Sequence, residues 1–319
     1  MRAARESAPA VSVVMATRNR AERLERALVA LDAQDATFPF EVVVVDDASM
    51  DETPAVLETW VGDSRLDLRT CRRRSSGGPG GARNTGLEIA RGRLVAFTDD
   101  DCEPEPGWLT ALEETARANP WALVQGPTIP NPDEAELAGP FSRTLEVGSL
   151  GPWFPTSNVA YPREVLETLD GFDETLPRGE DTDLAWRAQE NGLGAVWSPG
   201  AVVRHAVMEL GPVGKLQLAA AWSPAVRVIA LYPHLRQELV AGVFWKRSHA
   251  LLFVALAGLV LARFWRPAVL LVLPYVRYLR ATVAQQGVGL GWMAYQGLHD
   301  LTEVAAMAHG SVRARTLLL

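Results

Sequence analysis

Three short apolar runs, Val11–Ala16 (VSVVMA), Glu41–Asp46 (EVVVVD) and Leu94–Thr98 (LVAFT), are each followed by residues with the spacing of a helix. The helices are expected over Arg20–Ala33, with Leu24, Ala27, Leu28 and Leu31 on one stripe, near Thr53–Trp60 and near Trp108–Ala118. A strand that is apolar on both faces needs cover on both sides, and parallel neighbours need crossover helices. The alternation therefore predicts an α/β fold with a mostly parallel sheet flanked by helices. Ligands in such sheets bind beyond the carboxyl ends of the strands. The residues there are polar and acidic: Thr17-Arg18-Asn19, Asp46-Asp47-Ala48-Ser49-Met50-Asp51 and Asp99-Asp100-Asp101.

A chain of 319 residues, 48% hydrophobic and 22% charged, can bury a large core, which excludes disorder, collagen and a coiled coil. Two cysteines, Cys71 and Cys102, cannot build a disulfide framework. The first thirty residues lack the cationic start, apolar core and cleavage site of a signal peptide, so the folded part is expected in the cytoplasm. The net charge of -7 argues against a general nucleic-acid binder, but it is unevenly spread. Residues 1–202 hold 19 arginines, no lysine and 34 carboxylates (-15), whereas 203–319 hold 12 basic and 4 acidic residues (+8). The acidic half repels a polyphosphate unless a cation intervenes, and the basic, apolar half suits an anionic membrane surface.

Beyond residue 205, Leu216–Tyr232 is largely apolar, and Ser248–Ala262 and Pro267–Val276 carry no formal charge. Each run is short for a membrane span of about 20 residues. Together, 248–276 reads as a hydrophobic hairpin broken at Arg263-Phe264-Trp265-Arg266-Pro267 and bracketed by Lys246-Arg247 and Arg277/Arg280. Aromatic and arginine residues at such breaks favour interfacial anchoring, so membrane association is expected. The alternative is a buried helical pair in a soluble homo-oligomer. The expected domains are 1–210 and a helical, membrane-associating 211–319. The Pro-rich stretch Pro127–Pro140 is expected to be a mobile loop without chemistry.

The strongest local signal is Phe97-Thr98-Asp99-Asp100-Asp101-Cys102-Glu103-Pro104, three carboxylates leaving a buried strand directly into a turn. Hard oxygen ligands in a row suit Mg²⁺ or Mn²⁺ completed by phosphate and water; the alternative is an acidic cap for the helix at 108. Asp46-Asp47 at a second strand end can accept hydrogen bonds from a base or ribose, while Asp51 fits an Asx turn capping the next helix. Gly77-Gly78-Pro79-Gly80-Gly81-Ala82-Arg83-Asn84 opens a helix whose amides could meet phosphate, with Arg83 the expected nucleotide contact. Asp181, in Gly179-Glu180-Asp181-Thr182-Asp183, would sit in a first helical turn, kept ionised by the helix dipole and able to act as a general base or as a cap. Asp183 and Arg187 fit an i,i+4 surface pair. His205 follows Ala201-Val202-Val203-Arg204; a lone strand-end histidine is usually structural, but its imidazole could complete an Asp-based Mn²⁺ site.

VSVVMATRNR at 11–20, VVVVDDASMDET at 42–53, GGARNTGLEIARG at 80–92, FTDDDCEP at 97–104 and the GFDE and GEDTDLAWR segments within 171–187 together resemble glycosyltransferase family 2 over about residues 10–206. The resemblance implies a GT-A fold, beyond which lies the apolar helical C-terminal region read from the sequence. It also implies a nucleoside-diphosphate-sugar donor, UDP-sugar favoured, a Mn²⁺ or Mg²⁺ cofactor and inversion at the anomeric carbon. Carried over, Asp47 becomes the base contact with Asp46 beside it, Arg83 a nucleotide contact, and Asp99 and Asp101 the ends of the DxD motif. Asp99, Asp100 and Asp101 serve ribose and metal, Asp181 is the acceptor's general base, and His205 resembles a metal ligand of some members. Thr17, Asn19 and Glu180 complete the nucleotide-sugar set. Arg18 stands where many members carry an aromatic, and no Gln-x-x-Arg-Trp motif of processive synthases occurs, which favours transfer of one sugar. The implied partners are the donor, a lipid-linked or cell-envelope glycan acceptor and the inner face of the membrane, with no nucleic acid. Rival readings are a sugar nucleotidyltransferase and a non-catalytic, membrane-bound scaffold with the same fold.

Overall fold

The computed structural model describes residues 8–63 and 65–319. The first seven residues, part of the stretch searched for a leader, lie outside them. In chain order the first elements are β1 (Val11–Thr17), α1 (Ala21–Asp32), β2 (Phe40–Asp46), α2 (Thr53–Asp63), β3 (Leu68–Arg72), α3 (Gly78–Ile89), β4 (Leu94–Phe97), β5 (Cys102–Pro104) and α4 (Trp108–Ala118). There follow β6 (Ala122–Gln125), β7 (Thr128–Pro130), β8 (Ser142–Arg143), β9 (Val159–Pro162), α5 (Arg163–Thr168), α6 (Glu180–Glu190), β10 (Gly194–Trp197), β11 (Val203–His205) and β12 (Met208–Glu209). Five helices close the chain: α7 (Gly211–Ala220), α8 (Val226–Leu231), α9 (Arg247–Leu261), α10 (Leu273–Gln286) and α11 (Trp292–Ala314).

The chain divides into two compact units, one running to Ala135 and resuming over Thr144–Val207, the other made of Glu136–Arg143 and Met208–Leu319. The first unit holds a seven-stranded sheet in the order β10-β6-β9-β4-β1-β2-β3. Neighbours are parallel except at β9, which runs antiparallel to both β4 and β6. The expected α/β architecture with a mostly parallel sheet is therefore present, with one antiparallel strand inserted.

Alternation along the central strands explains their continuous valine runs, because odd and even residues point to opposite faces. Val11, Val13 and Met15 pack with Leu24, Ala27, Leu28 and Leu31 of α1 on one side. On the other side Val14, Val43, Val95 and Phe97 meet Leu166, Phe172 and the α6 residues Leu184, Ala185 and Ala188. Helix α3 comes close enough that a Cβ on Gly86 would stand 2.6 Å from Val14 Cγ1. Trp108, fully buried, donates from Nε1 to Asn158 Oδ1 (2.8 Å), and Asn158 Nδ2 donates to the carbonyls of Pro127 (2.8 Å) and Ala201 (2.7 Å). That buried amide ties together the loops that follow β6 and β10.

A smaller sheet, β5-β11-β7, lies beyond the end of β4. β11 is antiparallel to β5 with His205 opposite Cys102, and parallel to β7. The stretch expected to be a mobile loop forms β7 and a 3₁₀ segment, Pro132–Leu137. It is tied down by buried Glu134, which pairs with Arg23 and Arg26 of α1 and accepts the Val207 amide at 2.7 Å.

The second unit contains the β8–β12 ribbon and α7 to α11, with α11 packed against α7, α8, α9 and α10. Leu252 and Ala255 of α9 meet Tyr275 and Leu279 of α10 in its core. Helix α9 ends at Leu261 and the 3₁₀ segment Arg266–Val272 follows, so Arg266 and Pro267 of the expected break lie within that segment. That segment runs on into α10, so Arg266–Gln286 forms a helical stretch of 21 residues, long and apolar enough to cross a membrane. The charge-free sequence window understated its length because the helix continues past Arg277 and Arg280.

Candidate active site

The carboxyl ends of β1, β2 and β4 open onto one rim, since Thr17 is in register with Asp46, and Phe97 with Val14. Chain order leaves β1 toward β2 on one side and β4 on the other, so the crevice lies where the winding reverses. Asp99, Asp100 and Asp101 turn away from β4 at this crevice. The turn ends in β5, and α4 begins after Gly107 with no side-chain cap, so the triplet is not the cap of that helix.

The three carboxylates have different neighbours. Asp100 accepts from Thr17 Oγ1 (2.8 Å) and from Arg20 Nη1 (2.8 Å). Asp101 accepts from the same Arg20 nitrogen at 2.7 Å. Burial pushes Asp100 up to about 6 against the pull of Arg20, and the neighbouring Asp101 adds to the rise. Asp99, whose side chain keeps 29% exposure against 6% for the other two, is the most accessible and accepts from Arg83 Nη2 at 2.7 Å. Arg20, the last residue of the VSVVMATRNR motif, is a site residue that the sequence alone does not reveal. Sequence distance hid it, because only the lateral pairing of β1 with β4 brings residue 20 to residues 100 and 101.

Arg83 is the cross-link of the site. Buried in α3, it donates from Nη1 to Glu180 (2.9 Å) and from Nη2 to Asp99, and its guanidinium lies 5.7 Å from the centre of the Phe172 ring. One side chain thus joins the acidic turn to the start of α6. Gly179, at φ 80°, makes the left-handed turn into that helix, a conformation that costs glycine least. Asp181 follows, accepting from the Thr182 amide at 2.7 Å through Oδ1. No hydrogen bond reaches its Oδ2 among the described residues. Burial first, then the Glu180 charge, push Asp181 up to about 7, against the Thr182 amide and Arg83. Near neutral pH Asp181 is then close to half ionised, desolvation opposing the helix dipole. Asp183 does pair with Arg187 (2.8 Å), but it is buried, and Arg187 also donates to the Leu169 and Gly171 carbonyls, so the pair belongs to the interior and not to the surface.

At the end of β2 the carboxylates serve the backbone. Asp46 Oδ1 accepts the Ser49 amide (2.8 Å). Asp47 accepts from Ser76 Oγ (2.6 Å) and from the amides of Gly77 (3.0 Å) and Gly78 (3.1 Å), with Arg73 beside it at 3.3 Å. Two of the amides expected to be available to phosphate are therefore taken by Asp47. Asn19, at φ 53°, accepts the Met50 amide at 2.7 Å and its own amide donates to Ser49 Oγ, which locks the ends of β1 and β2 together. Asp51 caps α2, as an Asx turn would, by accepting the Thr53 amide at 3.1 Å.

The register of β11 beside β5 carries His205 to Asp101. His205 Nδ1 donates to the Ala206 carbonyl (2.8 Å), which leaves the Nε2 lone pair facing Asp101 Oδ1 at 3.7 Å. Ligands about 2.1 Å from one ion in such a site stand roughly 3–3.5 Å apart, so a small closure would let both bind the same cation. Cys102 is also near, but burial and then Asp99 and Asp101 push its thiol well above the usual range, and it remains a packed core side chain. The donors brought together for a cation are thus the Asp101 carboxylate and the His205 imidazole, while Asp99, the third expected ligand, is held by Arg83.

Residues 12–168 match the domain described as glycosyl transferase family 2. The first unit is a family 2 glycosyltransferase domain. A pre-mycofactocin glycosyltransferase of Mycobacterium tuberculosis is 33% identical over 210 residues, 61% of this chain and 42% of that protein. A GalNAc(5)-diNAcBac-PP-undecaprenol beta-1,3-glucosyltransferase of Campylobacter jejuni is 35% identical over 108 residues, 34% of this chain and 35% of that protein. The chain thus spans less than half the length of these two curated relatives. Among solved structures, a mannosyltransferase from Pyrobaculum calidifontis in complex with GDP-Man and Mn²⁺ aligns with a TM-score of 0.65 at 23% identity, covering 97% of this chain and 88% of that one. The likeness establishes the GT-A fold of the family.

Proposed function

We propose that the protein is an inverting, metal-dependent glycosyltransferase that moves one sugar from a nucleoside-diphosphate sugar, preferentially a UDP-sugar, to a hydroxyl acceptor. The observation that carries the proposal is the Arg83 cross-link, which couples the Asp99–Asp101 turn to Glu180 and so sets Asp181 beside the acidic turn. Asp101, His205 and Asp99 would hold Mn²⁺ or Mg²⁺, Mn²⁺ preferred because an imidazole is among the donors. Such an ion supplies Lewis-acid stabilisation of the diphosphate leaving group and offsets the acidity of the rim. The Mn²⁺ in the Pyrobaculum complex supports this choice.

The chain's own residues do the rest. Asp181 Oδ2 accepts the proton of the acceptor hydroxyl as that oxygen forms its bond to the anomeric carbon from the face opposite the diphosphate. The bond from the anomeric carbon to the diphosphate oxygen breaks in the same displacement, and the nucleoside diphosphate leaves with the electron pair. A pKa near 7 suits a base working at neutral pH, since both protonation states are accessible. Arg83 holds Asp99 and Glu180 in place and contributes positive charge near the donor. Asp47 and Asp46 shape the base and ribose end, with Thr17 and Asn19 fixing the strand ends beneath it, and Asp100 lies on the ribose side.

The acceptor is assigned as a lipid-linked or envelope glycan at the inner membrane face. Supporting this are the exposed apolar residues Phe264 (85%) and Trp265 (65%) next to Arg263 and Arg266, the 21-residue apolar stretch, and the undecaprenol-linked substrate named for the Campylobacter relative. Calorimetric titration of UDP, GDP and dTDP, each with Mn²⁺ and with chelator, tests the donor site. The complete chain should select one nucleotide only with metal, and Asp99→Ala/Asp101→Ala should lose that binding. No binding of any nucleotide under either condition would replace the enzyme with a membrane-bound scaffold.

A further inference from the structure

The second unit buries a polar cluster that plays no part in the proposed transfer. His249 of α9 and His299, Asp300 and Glu303 of α11 are 0%, 8%, 1% and 4% exposed. One donor atom each of His249, Asp300 and Glu303 lies within 4.8 Å of the others. His249 Nε2 is 3.2 Å from Glu303 Oε2. Among the described residues His299 Nδ1 has no hydrogen-bond partner, yet it is buried and stands 3.6 Å from Glu303 Oε2 and 4.0 Å from Asp300 Oδ1. An orphaned imidazole nitrogen aimed at two carboxylates is costly in a helical bundle unless a cation completes it. Nitrogen and oxygen donors about 2.0–2.1 Å from a four-coordinate ion stand roughly 3.3–3.5 Å apart. The gaps of His249 (3.2 Å) and His299 (3.6 Å) to Glu303 are close to that, while the donors all within 4.8 Å of one another are His249, Asp300 and Glu303, so His299 has to swing in as the fourth ligand.

Lys246 now holds Glu303, its Nζ 2.7 Å from both oxygens, and Lys215 also feels the Glu303 charge. The Lys246 side chain is 44% exposed and can retreat to solvent. A divalent ion in its place would neutralise both carboxylates. Outer support is also built: Tyr275 OH donates to Asp300 Oδ2 (2.9 Å) and Gln296 Nε2 to Asp300 Oδ1 (3.0 Å), which orients that carboxylate.

We infer that His249, His299, Asp300 and Glu303 bind one divalent transition metal of the Zn²⁺ class, joining α9 to α11 as a structural site. The exposed Lys246 marks the route by which the ion enters, and it is the ion's rival for Glu303. Binding there adds stability to the helical unit without involving the donor site.

The test uses the full chain in detergent, stripped of metal and carrying Asp101→Asn and His205→Asn so that the donor site does not report. Titration with Co²⁺ should give the visible bands of four-coordinate Co²⁺ at one ion per chain, displaced by one equivalent of Zn²⁺, with a raised thermal midpoint. His249→Gln and His299→Gln should each weaken binding at least ~10-fold while far-UV helicity is retained, and should either lose helicity the other decides. Lys246→Met should tighten binding. Absence of Co²⁺ bands and of retained Zn²⁺ in the folded chain, or bands unaffected by both histidine variants, overturns the inference.

Discussion

Asp181→Asn is expected to stabilise the protein, by an amount that grows as pH rises from about 4 to about 7 and then levels off. Burial and the Glu180 charge raise the Asp181 pKa to about 7, so between its ordinary value and about 7 the native state holds a proton that the unfolded chain has released. Stability therefore falls as pH rises through that window, and above it the ionised carboxylate costs the native state about 4 kcal/mol at most. Solvent reaching this half-buried group lowers the figure, and about 2 kcal/mol is a fair lower bound. Asparagine keeps the shape and carries no charge. For a unit of this size the variant should melt about 5–10 °C above the parent at pH 8 and about 2–4 °C above it at pH 5. Thermal unfolding of the full chain in detergent, followed by tryptophan fluorescence across pH 5–8, measures the difference. A variant that melts at or below the parent temperature at pH 8, or whose gain does not vary with pH, would refute the assignment of a desolvated acid at 181. In transfer assays the same variant should keep nucleotide affinity and lose turnover by at least ~100-fold.

Arg20→Met removes the cation shared by Asp100 and Asp101 and should cost about 3 kcal/mol without metal, while Mn²⁺ raises its melting temperature more than that of the parent; equal increments would show that Arg20 does not compete with the ion. Gly86→Ala places a methyl 2.6 Å from Val14 Cγ1 and should destabilise by about 1–3 kcal/mol in urea unfolding. Phe264→Asp/Trp265→Asp should reduce co-sedimentation of the full chain with anionic vesicles about tenfold or more, and unchanged partitioning would remove this hairpin tip from the membrane contact.

The central strands were legible because burial on both faces leaves no polar alternation, and four successive valines in β2 permit little else. β6, β9 and β10 were not found: each is four residues long, and β9 joins the sheet through antiparallel partners far away in sequence. The acidic turn, Arg83 and the 180–183 segment were legible for the opposite reason, since such groups at strand and helix ends are expensive unless used. Their environments were not legible. Arg20, the Asp47 grip on the Gly77–Gly78 amides and the elevated Asp181 pKa all depend on lateral neighbours that spacing along one strand does not reveal. Glu134 escaped notice because its arginine partners lie on α1, more than a hundred residues earlier.

The place of β11 in the chain has a consequence for biosynthesis. All seven strands of the large sheet lie before residue 198, whereas the histidine paired with Asp101 arrives only at the tip of the last strand of the first unit. Chains emerge from the ribosome from the N-terminus and domains fold as units, so the large sheet can form while His205 is still inside the exit tunnel. The Asp101–His205 pair is then the last part of the domain to close. A nascent chain released by premature termination after β10 would keep its sheet and lack that pair, which separates the acquisition of the fold from the acquisition of the site.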